Sequence, residues 1–421
     1  MSNAPPPDLE TAATDLIDRR EEWLGILTEL LAIPSPNPPG DTTEIAEYLL
    51  ELFDDRGIET TVIAPKTDMP NVIAQFEGTQ GDGPHLGFNG HLDTFPVPEP
   101  DAWEYDPFGG TIDNGRVYGR GAVDMHGGFT ASLAAFLYLH EHRDRLPGRV
   151  TLSVTSDEET GSEWGAEYVL DNHPEYRSDA LINGEPSGPN IVRFAGRGAV
   201  WLELSVRGEG AHSSYPAGVN AIDVLTELVE TFRARLSDLV DIPEQAREAI
   251  VAGREQMDTA FGDGATDLLL DAQVNLTTIE GGEKVNLTPA RASAELDIRL
   301  PLGTDGTAAI ELLESLAAEQ PGEIEIDVFH HTDPNHSDLT HPIFDAVRRH
   351  AARNGPKPAL SCGLAMTDAR FFRQHGVPAA VYGPTPNRVG APDEFITIEE
   401  FDRVLLAHGL GGLAFLTDST E

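Results

Sequence analysis

The sequence contains almost no cysteine, and it lacks any long apolar run. Cys362 is the only cysteine among 421 residues, which excludes an intramolecular disulfide and a cluster of thiolate ligands around zinc. No apolar stretch approaches the roughly 18 residues that a membrane-spanning helix needs, and the N-terminal segment lacks the pattern of a signal peptide. We therefore expect a cytoplasmic protein that does not have a membrane as a partner.

Basic residues are also scarce. The chain has 28 lysines and arginines against 71 acidic residues, and its formal net charge is −43 at pH 7. Such a charge opposes binding to a phosphate backbone, so we do not expect nucleic acid as a partner. The acidic residues are spread over segments that also carry apolar core patterns, which is typical of a folded, carboxylate-covered protein adapted to high salt.

The chain is longer than a single hydrophobic core usually allows, so we expect two domains. The hydrophobic patterns predict an α/β fold. Strands alternate with helices up to about residue 195, which predicts a mainly parallel sheet flanked by helices. Beyond Arg197, alternating strands predict an inserted α+β domain with an antiparallel sheet. We assign residues 1–195 and 306–421 to the first domain and residues 196–305 to the insertion. The pattern does not decide to which part the helix at 307–319 and the strand at 323–329 belong.

Side chains of the kinds that bind metals follow several strand-like runs. The carboxyl ends of strands are where an α/β fold collects its site residues. One histidine among several carboxylates suits a hydrolase with two zinc ions. The candidates are His91, Asp93, Asp124, Glu158, Glu159, Glu185, Asp393 and Glu394. The pattern therefore predicts a metal-dependent enzyme.

Two of these segments also have an ordinary structural interpretation. In an extended segment the side chains of His91 and Asp93 point the same way, so Asp93 can orient the imidazole through the nitrogen that does not bind metal. An isolated pair of this kind is seldom functional, and Glu158–Glu159 alone would be interpreted as a solvated pair. The surrounding sequence decides in favour of a site.

That surrounding sequence resembles a known family over nearly the whole chain. The matching strings are GHLDTFPV, WEYDPFGGTIDNGRVYGRGAVDM, DEETGS, GEPSG, GAHSSYPAGVNAI, EGGEKVNLTPARASAELDIR, TDARFF and PDEF. They resemble the zinc amidohydrolases and exopeptidases that include acetylornithine deacetylase, succinyl-diaminopimelate desuccinylase, aminoacylase and the glutamate-releasing carboxypeptidases. The resemblance implies a metal-binding catalytic domain and the hydrolysis of an amide bond.

The same resemblance implies roles for the individual residues of the first domain. His91, Asp124 and Glu185 would hold one metal ion, and Asp124 and Glu159 would hold a second. Glu158 would be the general base that takes a proton from the bridging water. We expect Zn²⁺, one or two ions per chain, although carboxylate and imidazole ligands also accept Co²⁺ or Mn²⁺.

One position departs from the family pattern. The family normally has a histidine three residues before the Asp-Glu of its last motif, and this chain has Gly390, which has no side chain to bind a metal. Three interpretations follow: one metal or a weakly held second one, a substitute ligand, or impaired catalysis. The candidate substitutes are His126, Asn387 and Asp393. His126 stands where the family usually has lysine, and we expect it to lie outside the site.

The inserted domain carries further candidates. The resemblance implies that His212 stabilises the tetrahedral oxyanion, often in the active site of the partner subunit. It therefore implies a homodimer in which the insertion is both lid and dimerisation surface. Asn286, Arg299 and Arg370 match positions that bind the substrate carboxylate or carbonyl, and a guanidinium can hold a carboxylate through two hydrogen bonds.

The leading hypothesis is a hydrolase that cleaves the amide bond of a small N-acyl amino acid, with acetyl or succinyl as the acyl group. One alternative is a dipeptidase or carboxypeptidase that uses the same site. Another is a non-catalytic relative that binds an acyl-amino acid, because Gly390 removes a metal ligand. The histidines of FHHTDPNHSDLTHP do not have metal-site spacing, and we expect them in a solvated loop.

Overall fold

The molecule is built from 16 strands in three sheets, and a computed structural model describes residues 5–418. The strands, in chain order, are β1 (Thr60–Ile63), β2 (Asn71–Glu77), β3 (His85–His91), β4 (Thr111–Asp113), β5 (Arg116–Tyr118), β6 (Arg149–Thr155), β7 (Ala180–Asn183), β8 (Ile191–Gly196), β9 (Gly198–Arg207), β10 (Gln273–Gly281), β11 (Arg291–Leu300), β12 (Glu323–Thr332), β13 (Asn335–His336), β14 (Ala359–Gly363), β15 (Ala379–Val381) and β16 (Phe395–Thr397).

Helices surround these sheets. They are α1 (Leu9–Asp18), α2 (Arg20–Leu31), α3 (Thr43–Asp54), α4 (His126–Glu141), α5 (Ala166–Asn172), α6 (Ala221–Leu236), α7 (Glu244–Ala252), α8 (Arg254–Phe261), α9 (Ala265–Leu270), α10 (Gly306–Ala318), α11 (Pro342–Ala351), α12 (Ala369–Gln374) and α13 (Ile398–Asp418). Among the described residues, no helix is both long and apolar enough to span a membrane.

The largest sheet has nine strands in the order β1–β2–β6–β3–β7–β15–β8–β13, with β14 also paired to β8. At its centre β3 runs parallel to β6 and β7, and β15 runs parallel to β7. Ala180 and Ile182 of β7 face the main core, whereas Leu181 faces a smaller core formed with α5 and α12. Helices therefore cover both faces, and the predicted α/β fold with a mainly parallel sheet is confirmed.

A second, four-stranded antiparallel sheet has the order β10–β11–β9–β12, and α6 and α10 pack on it. The predicted antiparallel sheet is confirmed, and two elements after residue 305 pack with it. Strand β12 pairs with β9, and Leu313 of α10 is fully buried in this sheet's core. Helices α7 and α8 instead bury Ile250 and Met257 in the core of the large sheet.

A small sheet, β16–β5–β4, brings the C-terminal end of the chain to the candidate site. Strand β16 follows directly after Glu394 and pairs with β5, from Phe395 opposite Tyr118 to Thr397 opposite Arg116. Because β5 is followed by the loop that carries Asp124, this pairing places the PDEF motif beside that loop.

Candidate metal centre

Five of the sequence candidates meet at one edge of the large sheet. His91 ends β3, the Glu158–Glu159 turn follows β6, and Glu185 follows β7. Because β3 is parallel to both neighbours, these three strand ends point to the same edge. Asp124 comes from the loop before α4, which packs against β3.

His91 is the common member of the cluster. Its side chain is fully buried, and its Nε2 atom lies 3.3 Å from Asp124 Oδ1 and 3.4 Å from Glu185 Oε1. Two groups of three potential ligands, each within 4.8 Å of one another, share this imidazole. One group adds Asp124 and Glu159, and the other adds Glu158 and Glu185. The structure therefore brings all five side chains to within the size of a metal centre.

Burial and mutual repulsion dominate the electrostatics of the cluster. Burial, and after it repulsion by Asp124, raises the pKa of Glu159 to about 11 and that of Glu185 to about 7. Burial and the charge of Glu185 raise the pKa of Glu158 well above its usual range. Burial opposes the charged form of His91, but hydrogen bonds to Asp124, Asp93 and Glu185 overcome it and raise its pKa.

This donor set fits a divalent cation. Buried carboxylates of one sign are costly unless a positive charge compensates them, and a cation among them would allow the carboxylates to ionise and His91 to be neutral. Imidazole and carboxylate ligands suit Zn²⁺, Co²⁺ and Mn²⁺. The chemistry of the residues therefore supports a metal centre, whose metal identity the side chains do not fix.

Asp93 connects the metal candidates to the glutamate turn. Its buried carboxylate accepts hydrogen bonds from the backbone N–H groups of Glu158 at 3.1 Å and Glu159 at 3.0 Å, and from Asn37 Nδ2 at 2.9 Å. The Nδ1 atom of His91 lies 2.8 Å from the Asp93 carbonyl oxygen and 3.5 Å from its carboxylate. The closest partner of the imidazole is thus a backbone oxygen, while the carboxylate fixes the turn. Asn37 could not be identified from the sequence, since a lone asparagine in a proline-rich loop does not indicate a site residue.

The TDARFF motif lies against the same turn. Arg370 Nη1 is 3.9 Å from Glu158 Oε1, and the Arg370 side chain is nearly buried. Asp368 is also buried, and it accepts hydrogen bonds from the hydroxyls of Thr155 and Ser162 on either side of the turn. The motif therefore brings a cation to Glu158 and anchors the turn that carries it.

Glu394 has a role that the sequence did not reveal. It is fully buried, forms an ion pair of 2.6 Å with Arg120, and accepts hydrogen bonds from the backbone N–H groups of Val123 at 2.8 Å and Asp124 at 3.1 Å. Glu394 therefore holds the Asp124 loop rather than a metal ion. The pairing joins residues 274 positions apart, so no local pattern could predict it.

Position 390 is open. Gly390 has φ of 71°, and a Cβ atom built there would have only Phe95 as a neighbour, at 3.9 Å. The proposed substitute Asp393 points elsewhere, because its carboxylate accepts hydrogen bonds from the backbone N–H groups of Glu104 and Tyr105. Among residues 5–418, neither group of closely spaced ligand atoms includes Asp393.

The other two proposed substitutes, His126 and Asn387, make contacts with backbone oxygens. The buried His126 places Nε2 3.0 Å from the carbonyl oxygen of Leu92, and burial lowers its pKa to about 4. Asn387 is half-buried in a turn, where its backbone N–H donates to Thr385. Within the described part of the chain, neither ligand group contains His126.

Three predicted residues lie on the antiparallel sheet unit. His212 is exposed in the loop after β9 and pairs with Leu287, next to the half-buried Asn286. Arg299 on β11 forms an ion pair of 2.8 Å with Asp297. In residues 5–418, none of the three makes a hydrogen bond or an ion pair with the His91 cluster, so a single subunit in this conformation does not assemble all the predicted residues.

His330 lies between the antiparallel sheet unit and the TDARFF motif, and its position differs from the predicted solvated loop. It and His331 lie in strand β12 rather than in a solvated loop, because alternating apolar residues place this segment on the antiparallel sheet. The His330 ring packs against Trp201, with ring centroids 4.4 Å apart. Burial and the charges of Arg370 and Arg299 lower the pKa of His330. This histidine thus lies in the electrostatic reach of both substrate-binding candidates.

A buried imidazole among carboxylates, at the carboxyl edge of a parallel sheet, is thus a candidate metal centre of the kind that metal-dependent hydrolases use. Residues 87–408 match the model of peptidase family M20/M25/M40, and the chain belongs to this family. The matched segment contains all the candidate site residues.

Relatives in the family share moderate identity over most of their length. A probable succinyl-diaminopimelate desuccinylase of Staphylococcus epidermidis is 26% identical over 386 residues, covering 89% of this chain and 93% of the relative. The succinyl-diaminopimelate desuccinylase of Methylorubrum extorquens is 29% identical over 357 residues, covering 81% and 85%. The fold is shared with an M20 family metallo-carboxypeptidase from Sulfolobus solfataricus, with a TM-score of 0.77, 24% identity, and coverage of 94% and 99%.

Proposed function

We propose that the protein hydrolyses the amide bond of a small N-acyl amino acid, of the kind that acetylornithine deacetylases and succinyl-diaminopimelate desuccinylases cleave. The observation that carries the proposal is the position of Glu158. Its carboxylate lies within 4.8 Å of potential ligand atoms of His91 and Glu185, and 3.9 Å from Arg370 Nη1. A proton acceptor, a cation site and a group for a substrate anion or carbonyl are thus adjacent.

In this proposal His91, Asp124 and Glu185 hold one metal ion, and Asp124 and Glu159 form an incomplete second site. A bound cation would polarise the amide carbonyl and lower the pKa of a water molecule. Zn²⁺ is the proposed ion because the donors are imidazole and carboxylate oxygen.

The protein's own groups then move the proton and position the substrate. Glu158 takes the proton of the attacking water and delivers it to the leaving amine. Asp93 and Asp368 keep the glutamate turn in place through their hydrogen bonds to it. Arg370 and Arg299 bind the carboxylate of the substrate, and Asn286 binds a carbonyl.

His212 is exposed and makes no hydrogen bond or ion pair with the His91 cluster of its own chain among the described residues. In this proposal it therefore enters the site of a second subunit. The edge of the antiparallel sheet supports such an interface. Leu276 and Ile279 on edge strand β10, and Val285 and Leu287 in the next loop, are exposed by 38% to 99%. We therefore propose a homodimer through this edge, with the four-stranded antiparallel sheet and its helices α6 and α10 as lid. A cytoplasmic location is proposed from composition alone.

The test is amide hydrolysis in high salt after metal removal and titration with Zn²⁺ or Co²⁺. The substrates are matched N-succinyl- and N-acetyl-amino acids, with dipeptides of the same amino acids as the comparison. We expect turnover of an N-acyl amino acid that depends on the added metal. Preference for dipeptides would replace the proposal with a peptidase, and bound metal without any turnover would replace it with a binding protein.

A further inference from the structure

Three arginines lie buried near the metal centre without a carboxylate partner. Arg193, Arg197 and Arg373 are exposed by only 4%, 5% and 9%. Among the described residues, no carboxylate oxygen lies within 4.0 Å of any of these three guanidinium groups. In a chain with 71 acidic residues, an unpaired buried cation is unexpected, and three together are costly.

Neutral groups satisfy these arginines only in part. Arg193 donates to the carbonyl oxygen of Pro186, and Arg197 donates to the side-chain oxygen of Gln273. Arg373 donates to the side-chain oxygen of Asn335 and to two backbone carbonyl oxygens. The Nε atom of each arginine is buried and has no hydrogen-bond partner. Each guanidinium therefore retains a donor that the protein does not use.

Two other buried arginines show how a buried guanidinium group is usually compensated. Arg120 has the carboxylate of Glu394 at 2.6 Å, so its charge is compensated. Arg403 has no carboxylate, but its Nε and both terminal nitrogens donate to oxygen acceptors. Arg193, Arg197 and Arg373 have neither kind of compensation.

No nearby side chain supplies the missing negative charge. Burial raises the pKa of the Cys362 thiol to about 11, so the thiol is neutral at neutral pH. Glu185 and Asp124 attract Arg193, and Asp297 attracts Arg197, but none of these carboxylates lies within 4.0 Å of the guanidinium group that it attracts. Burial lowers the pKa values of Arg197 and Arg373 to about 10, so both remain cationic.

The three arginines border one small cavity. Asn335, Thr367 and Arg370 also line it, and it encloses about 10 Å³ for the centre of a water-sized sphere. Such a space holds roughly one small particle and has no room for an amino-acid substrate. Its polar lining consists of cationic guanidinium groups, a side-chain amide and a hydroxyl, all of which can donate hydrogen bonds.

We propose that this cavity is a binding site for one small monovalent anion, with chloride as the physiological ligand. The anion accepts hydrogen bonds from Arg193, Arg197 and Arg373 and compensates their charge. Arg197 lies between the last residue of β8 and the first residue of β9. The anion therefore stabilises the connection between the two sheets, together with helix α12, which carries Arg373.

The first test is crystallographic and uses the wild-type protein grown in sodium bromide. Bromide replaces chloride and is identified by its anomalous scattering. We expect one bromide in the cavity, in contact with the three guanidinium groups. A cavity that holds water, or one that admits a substrate carboxylate and excludes bromide, would overturn the proposal.

The second test measures thermal unfolding at constant ionic strength while sodium chloride replaces sodium gluconate. We expect a saturable rise of about 2 °C in the unfolding temperature of the wild type, because only the folded state binds the anion. Arg373→Met should abolish the rise, whereas the exposed α7 variant Arg247→Met should keep it. Equal unfolding temperatures of the wild type in both salts would contradict the site.

The two tests do not depend on hydrolysis, so they stand apart from the proposed function. If Arg373→Met does not fold, the bromide position and the salt dependence of the wild type still decide the question.

Discussion

The candidate residues of the two sheets differ in burial and in contact. On the large sheet, His91, Glu158 and Glu185 converge within a few ångströms and are shielded from solvent. On the antiparallel sheet unit, His212 is exposed and Arg299 pairs with Asp297 rather than with the cluster. The candidate metal ligands thus meet within one chain, whereas His212 would have to come from another subunit or a closed conformation to act as the proposed oxyanion donor.

The largest effect should come from Glu158→Gln, which preserves shape but removes the proton acceptor. We expect turnover to fall about 10²–10⁴-fold. Metal binding should persist, because His91, Asp124 and Glu185 are unchanged. The control is Glu163→Gln, an exposed glutamate just after the same turn. Steady-state kinetics and metal content measure the two effects, and retained turnover would remove Glu158 from its proposed role.

His212→Ala should reduce turnover by about 10²–10³-fold, as expected for the loss of one oxyanion donor. Because the residue is exposed, the unfolding temperature should barely change. Mixing this variant with Glu158→Gln tests the subunit arrangement. If His212 acts across the interface, mixed dimers contain one intact site, and about a quarter of wild-type activity should return. No recovery after demonstrated subunit exchange would place His212 in its own chain's site.

A moderate effect is expected from the carboxyl group of Glu185 on how the stability of the metal-free protein depends on pH. Burial and the charge of Asp124 raise the pKa of Glu185 from 4.5 to about 7, so the folded state keeps this proton longer than the unfolded chain. Stability from this group therefore falls as pH rises from about 4.5 to about 7. Bound metal should oppose the fall, because the ligands bind it deprotonated.

The urea midpoint at fixed high salt, with and without chelator, measures this dependence. Glu185→Gln should flatten the metal-free slope between pH 4.5 and 7, whereas the exposed Glu203→Gln should leave it unchanged. An unchanged slope in Glu185→Gln would show that its carboxyl does not hold the extra proton.

The smallest effect should come from Gly390→His. The space near position 390 is open, so an imidazole can be accommodated, although the positive φ costs about 1 kcal/mol for a residue other than glycine. Gly390→Ala has the same backbone cost without the ligand and is the matched control. Calorimetric titration should show tighter binding of a second metal only in Gly390→His. Equal binding in the two variants would mean that position 390 does not face the second site.

Much of the fold could be predicted from local patterns. Asn220 caps the start of α6, since its side chain accepts hydrogen bonds from the backbone N–H groups of Ile222 and Asp223, and asparagine before an apolar helical pattern is a signal visible in the sequence. Helices α7 to α9 were not predicted, because they are short and mix many acidic residues with few apolar ones. Local patterns left the placement of the helix and strand after residue 305 open, since β12 pairs with β9, which lies more than 100 residues earlier in the chain.

The sequence by itself determined which chemical groups are present and on which strand ends they lie: one imidazole, several carboxylates, and a glycine in place of a ligand. Only the tertiary structure decided which of them meet. Glu394 became a backbone acceptor and not a metal ligand, because the small sheet carries it to the loop of Asp124. The carboxylates need a cation, and the three arginines need an anion, because folding buries their charges. Burial depends on the whole chain, and no local sequence pattern contains it.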